Sequence, residues 1–107
     1  MIKAWVKKKQ GRIVSYQISG HAYSGEFGHD IVCSAVSVLG QTTSNGIEKM
    51  VDIPLVEVGE GYLYVELKED LTPEEDQVAQ ILLKNFEFAM QDVALEYGQY
   101  IKFTEKN

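Results

Sequence analysis

The chain holds one cysteine and two histidines, and the stretch GHAYSGEFGHDIVCSAVS, residues Gly20 to Ser37, contains all three within thirteen residues. A thiol and an imidazole brought together form the thiolate–imidazolium pair that activates a cysteine nucleophile. Asp30 is a good helix N-cap, because its short carboxylate can accept from N–H groups two or three residues ahead. That cap makes Ile31, Val32 and Cys33 the first three helical residues and puts Cys33 in a turn whose N–H groups lack intrahelical partners. The positive end of the helix dipole stabilises a thiolate and lowers the cysteine pKa from its free value near ~8.5. The same unpaired N–H groups suit an oxyanion. His21 ends the preceding segment, and residues 22 to 29 form a loop that can fold back to bring the imidazole to the thiol. Gly25 and Gly28 give that loop backbone freedom and let a substrate chain approach closely.

Each residue also has a plainer reading. A single cysteine early in a helix serves as a small buried hydrophobe. A histidine after a strand serves as a surface or capping group, and His29 reads as a loop residue. Asp30 either caps the helix or orients an imidazole. A metal site of His21, His29, Asp30 and Cys33 has the spacing H-x7-H-x3-C, which matches no common zinc pattern, so no metal and no cofactor is expected. The glycines before a helix suggest a phosphate loop, but no G-K-[ST] follows them.

The bulk properties narrow the partners. At 107 residues the chain fits one domain, 1–107, with one core. Apolar residues at 45% and charged residues at 24% are the balance of a soluble globular protein. Sixteen acidic against ten basic residues give a net charge of -6, which points away from direct nucleic-acid binding and suits a basic partner. No apolar run approaches the ~20 residues that span a bilayer, so no membrane partner is expected. The start, MIKAWVKKKQGR, does not read as a signal peptide, and a lone cysteine suits a reducing compartment; a cytoplasmic location is expected.

The elements that must position the cysteine follow from the hydrophobic period. IKAWVKKK alternates Ile2, Ala4 and Val6 against Lys3, Trp5 and Lys7, and RIVSYQIS alternates on Val14, Tyr16 and Ile18, with Gln10-Gly11 as the hairpin turn. The lysines after Trp5 read as the protection of an edge strand, or alternatively as a basic patch. The helix from Asp30 places Val32, Ala35, Val36, Leu39, Ile47 and Met50 on one face and is expected to bend or break near Gly40. PLVEVGEGYLYVELK reads as a second hairpin with Leu63, Val65 and Leu67 on one side; Tyr62 and Tyr64, on the other, could line a groove or a dimer contact. Thr72, Pro73 and Glu75 form a capping box for a second helix with the stripe Val78, Ile81, Leu82, Phe86, Ala89 and Val93, which Gly98 ends. QYIKFTE closes as a last strand. The order ββαββαβ predicts an α+β domain: a mostly antiparallel sheet with two helices on one face.

The run Gly20-His21-Ala22, the glycines at 25 and 28, and Asp30-Ile31-Val32-Cys33 followed by Ala35 and Ser37 resemble the signature of the ribosomal-processing cysteine protease family. The resemblance implies that His21 and Cys33 are a catalytic dyad and that Asp30 supports the site. It implies a homodimeric endopeptidase whose partner is large-subunit ribosomal protein number twenty-seven, from which it removes a short N-terminal extension before or during ribosome assembly. The alternative is a non-enzymatic ribosome-associated module that grips a peptide with its glycine loop while Cys33 is packed.

Overall fold

The computed structural model describes residues 1–20 and 27–107, and for 27–30 the backbone alone. Its elements are β1 (Ile2–Lys9), β2 (Arg12–Ser19), α1 (Phe27–Met50), β3 (Leu55–Gly59), β4 (Tyr62–Glu66), α2 (Pro73–Glu96) and β5 (Ile101–Lys106). They form one five-stranded sheet in the order β3-β4-β2-β1-β5. All neighbours are antiparallel except β1 and β5, which run parallel. Both helices lie over one face, as the element order predicts.

The core forms between that face and the helices. Ile2, Ala4 and Val6 of β1 point into it, as their alternation requires, and so do Leu63 and Val65 of β4. From the helices come Val32, Val36 and Ile47 of α1 and Ala79, Leu83, Phe86 and Met90 of α2. Each large side chain sealed there contributes ~1.5–3 kcal/mol. The first hairpin turns on Gln10 and Gly11, at φ 53° and 79°. Two left-handed residues in succession match the twist of the flanking strands.

Strand β2 departs from the expected alternation. Lys7 pairs with Ser15 but Lys8 pairs with Ile13, so Val14 is the extra residue of a β-bulge. A bulge shifts the period by one, and Ile13 takes the inward place expected of Val14. The Gln80 side-chain amide accepts from the Ile13 N–H at 2.8 Å and donates to the Ile13 carbonyl at 2.8 Å. β1 is an inner strand, so its lysines do not protect an edge. Lys8 faces the helices, 3.0 Å from both Glu87 and Glu105, while Lys3 and Lys7 lie on the opposite face.

Helix α1 differs from expectation at three points. It begins at Phe27, so Asp30 lies within its first turn and is not its N-cap. Once a helix is nucleated each added residue gains a hydrogen bond, and an acidic residue is as favourable in the first turn as at the cap. The helix also runs unbroken through Gly40. Its lack of a side chain is a packing feature: a Cβ there would lie 2.6 Å from Ile18 Cδ1 and 2.9 Å from Leu63 Cδ2. The buried Tyr16 hydroxyl donates to the Gly40 carbonyl at 2.7 Å, fastening the helix to β2 at that point. Of the expected face, Ala35 and Met50 are exposed.

In α2 the capping box is present, with the Thr72 hydroxyl accepting from Glu75 N–H and the Glu75 carboxylate accepting from Thr72 N–H. The buried stripe is Ala79, Leu83, Phe86 and Met90, and Ile81 is exposed. The helix is rolled from the expected orientation because polar groups also face the sheet: Asp76 holds Arg12, Gln80 holds Ile13 and the buried Glu87 holds Lys8. An apolar-only stripe misses these anchors. The helix ends at Glu96 with Tyr97 as C-cap, whose N–H donates to the Val93 carbonyl; Gly98 is not left-handed and is not the terminator.

Candidate active site

Cys33 lies in the second turn of α1, partly buried and packed against the core. It lines a cleft of about 260 Å³. Val36, Ser37 and Gln41 follow it along the same helical face, as spacings of three, four and eight residues require. Ile2, Ile18 and Leu63 form the floor, and Val58, Gly59, Gly61 and Tyr62 of the β3–β4 hairpin form the far wall. No charged side chain lines the cleft among the described residues; Ser37 and Gln41 supply its polar groups on the helix side. An apolar trough with a few polar groups beside a thiol suits a peptide side chain placed next to a nucleophile.

The rim is set by Gly20, the residue before His21. Its φ of +111° is open to glycine and strained for other residues, and a Cβ there would lie 2.6 Å from the Met1 carbonyl oxygen. Its N–H donates to the Gly61 carbonyl at 2.9 Å, which ties the end of β2 to the turn of the β3–β4 hairpin. Gly20 therefore joins the strand leading to His21, the hairpin wall and the Cys33 cleft. The hairpin turn carries Glu60 between the cleft-lining Gly59 and Gly61, while Glu57 pairs with Tyr64 on the opposite face of the sheet.

Of the residues singled out in the sequence, Cys33 is placed at the cleft. His21 and Gly25 lie outside the described residues. Gly28, His29 and Asp30 fall in the first turn of α1, so Gly28 belongs to the helix and not to the expected loop. The metal reading of His21, His29, Asp30 and Cys33 has only Cys33 among its described side chains. The later position of Cys33 changes the electrostatic argument. The unpaired N–H groups of α1 belong to residues 27–30, and in the i→i−4 pattern the Cys33 N–H is paired with position 29. The dipole's effect falls off within the first turn, so Cys33 sits beyond its strongest part. Tyr62 touches the hairpin end of the cleft, but strand register puts its ring with Tyr64 on the other face of the sheet, where its hydroxyl meets Gln17 at 3.3 Å and Tyr64 lies against Trp5. The contributions of Val58, Gln41 and Ile2 have no local signal, because the chain brings them together only through strand order.

The family model for the cysteine protease Prp matches residues 1–102. The ribosomal processing cysteine protease Prp of Bacillus subtilis is 31% identical, with 97% of this chain and 96% of that one aligned. The crystal structure of SMU.848 from Streptococcus mutans superposes with a TM-score of 0.83 at 29% identity, covering 99% of this chain and 94% of that one. The essential ribosomal processing protease Prp of Staphylococcus aureus, solved with a substrate peptide, gives a TM-score of 0.84 at 24% identity, covering 99% and 100%. The match runs over nearly the whole of the chain, and the chain belongs to the cysteine protease Prp family, whose members are peptide-bond hydrolases.

Proposed function

We propose that this chain is an endopeptidase that removes the short N-terminal extension of large-subunit ribosomal protein number twenty-seven in the cytoplasm, with Cys33 as nucleophile and His21 as acid and base. The observation that carries the reading is Cys33 at the helix wall of an apolar cleft whose rim residue, Gly20, directly precedes His21. In this reading the Cys33 thiolate attacks the scissile carbonyl, and the tetrahedral oxyanion collapses as His21 protonates the leaving amine. His21 then takes a proton from water, which attacks the thioester, releases the new carboxyl group and restores the thiol. Because the Cys33 N–H is engaged in the helix, the oxyanion donors come from the segment before it. Asp30 supports the site from the first turn, and Gly25 is a substrate-contacting residue in this reading. The cleft takes an apolar or aromatic side chain on the amino side of the cut. Glu60 at the hairpin turn and the chain's net charge of -6 complement a basic ribosomal protein.

A Staphylococcus aureus relative has been solved with a covalently linked product peptide, which supports a covalent route. The protein acts as a homodimer in this reading. Ile81, Phe88 and Leu95, exposed and seven residues apart on α2, supply an apolar surface for the second copy.

The test is incubation of the N-terminally extended ribosomal protein with the purified chain and with Cys33→Ala. One cut at the end of the extension, lost by about 10⁴-fold or more in the variant, supports the reading. Equal cutting by both removes Cys33 as nucleophile, and no cutting by either removes the substrate.

A further inference from the structure

The helices cover one face of the sheet and leave the other open, and strand register sorts charge across that open face. Lys3 and Lys7 of β1 stand directly beside Lys102 and Lys106 of β5. Trp5 stands between Lys3 and Lys7 on β1, and Tyr62 and Tyr64 follow on β4, across the polar Ser15, Gln17 and Ser19 of β2. Carboxylates appear at the far side, at Glu57 and Glu66. The open face thus grades from four cations through three aromatic rings to two anions, in a chain whose net charge is -6.

Of the four lysines at the cationic end only Lys106, above the Trp5 ring, has a structural partner. Like charges opposed across neighbouring strands repel and cost stability. Among the described residues none of these four lysines is in an ion pair; the basic partners of the ion pairs are Lys8, Arg12 and Lys68. Edge protection accounts for lysines on β5 but not for Lys3 and Lys7, which lie on an inner strand. Trp5 is half-buried, with Tyr64 edge-on at 6.1 Å between centroids and Lys106 Nζ 4.4 Å above its ring.

We propose that this face binds single-stranded RNA, with phosphates against Lys3, Lys7, Lys102 and Lys106 and bases stacked on Trp5 and the neighbouring tyrosines. A flat sheet face with aromatic rings beside a row of cations stacks unpaired bases and neutralises the backbone at once. An acidic peptide would use the lysines but leave the aromatic row without a role. The Glu57 and Glu66 end repels phosphate and sets the limit of the track. The Cys33 cleft opens on the helix side, so RNA and peptide occupy different faces. The choice of RNA over DNA rests on the ribosomal substrate proposed above. The net charge, summed over the whole chain, conceals this segregation.

The test is fluorescence anisotropy of a labelled oligouridine RNA with the intact protein at 50 mM salt, alongside oligothymidine DNA and polyglutamate, with cleavage of a free substrate peptide measured in parallel. Wild type should bind the RNA, about fifty-fold more weakly at 200 mM salt if four phosphates are neutralised. Trp5→Ala should weaken binding about tenfold. The double variant Lys3→Gln, Lys102→Gln should roughly halve the salt slope. All variants should cut the free peptide as wild type does, which also shows that they are folded. No RNA binding by wild type, or unchanged binding in the variants, overturns the proposal. Equal affinity for the DNA overturns RNA as the occupant, and equal affinity for polyglutamate assigns the face to an acidic protein. If the peptide is never cut but the RNA binds as expected, the proposed function falls and this inference stands.

Discussion

Cys33 has lost the advantage that a first-turn position would give it, and that shifts the burden of activation to a neighbour. Beyond the first helical turn the dipole does little for a thiolate. If His21 carries the activation, wild-type Cys33 should react with iodoacetamide at pH 6.5 faster than a free cysteine, of which only about 1% is thiolate there. His21→Ala should slow alkylation by about tenfold or more, without slowing it further on mild unfolding. Equal rates in both proteins would remove the imidazole from the mechanism. Gly20 makes a second residue-scale prediction. Alanine there would adopt a strained φ and meet the Met1 carbonyl, backbone that cannot turn aside. Gly20→Ala should cost about 2 kcal/mol or more of stability and lower kcat/KM, read by thermal melts and peptide cleavage. Its place in the motif was visible in the sequence; the reason for glycine was not, because the group it avoids lies at the other end of the first hairpin.

Among the elements, α1 shows how tertiary packing overrides local preference. Its GQTTSNG stretch suggests a break, yet the helix is continuous there, fastened by the Tyr16 hydroxyl and packed closely on Ile18 and Leu63. Gly40→Ala separates the two effects. The helix gains up to ~1 kcal/mol of propensity, and the displaced groups are side-chain ends with the cleft to move into. Stability should therefore change by less than about 1 kcal/mol, while KM rises because the floor of the cleft lifts. A large fall in melting temperature with KM unchanged would contradict this. The same contrast explains what was legible. The Gln10-Gly11 turn, the Thr72 capping box, the alternation of β1 and β4 and the helix order were readable because each is encoded within a few residues. The Val14 bulge, the roll of α2 and the start of α1 were not, since each depends on partners remote in sequence. Cys33 was identified by its motif, and the hairpin wall opposite it only by the strand order.

For the molecule as a whole, pH and charge distribution decide more than net charge does. Arg12 binds Asp76 through both carboxylate oxygens, one at 2.8 Å, joining the first hairpin to the start of α2. Hydrogen bonding to Arg12 holds the Asp76 carboxyl below the usual aspartate range. A depressed folded-state value means the stabilisation is complete above the unfolded value and disappears as pH falls through the folded one. The pair is partly exposed, so its worth is under about 1 kcal/mol. Asp76→Asn should be the less stable protein at pH 7, and the two denaturation curves should converge in acid; a gap that persists at pH 2 would contradict the linkage. The parallel pairing of β5 with β1 has a further consequence. Ile2, part of the cleft floor, donates its N–H to the Tyr100 carbonyl, at the entrance to the last strand. During synthesis β1 emerges first and waits with one side unpaired until residues 101–106 arrive. A growing chain thus carries its thiol well before β1, which supplies Ile2 to the floor of the cleft, has gained the second of its two neighbours.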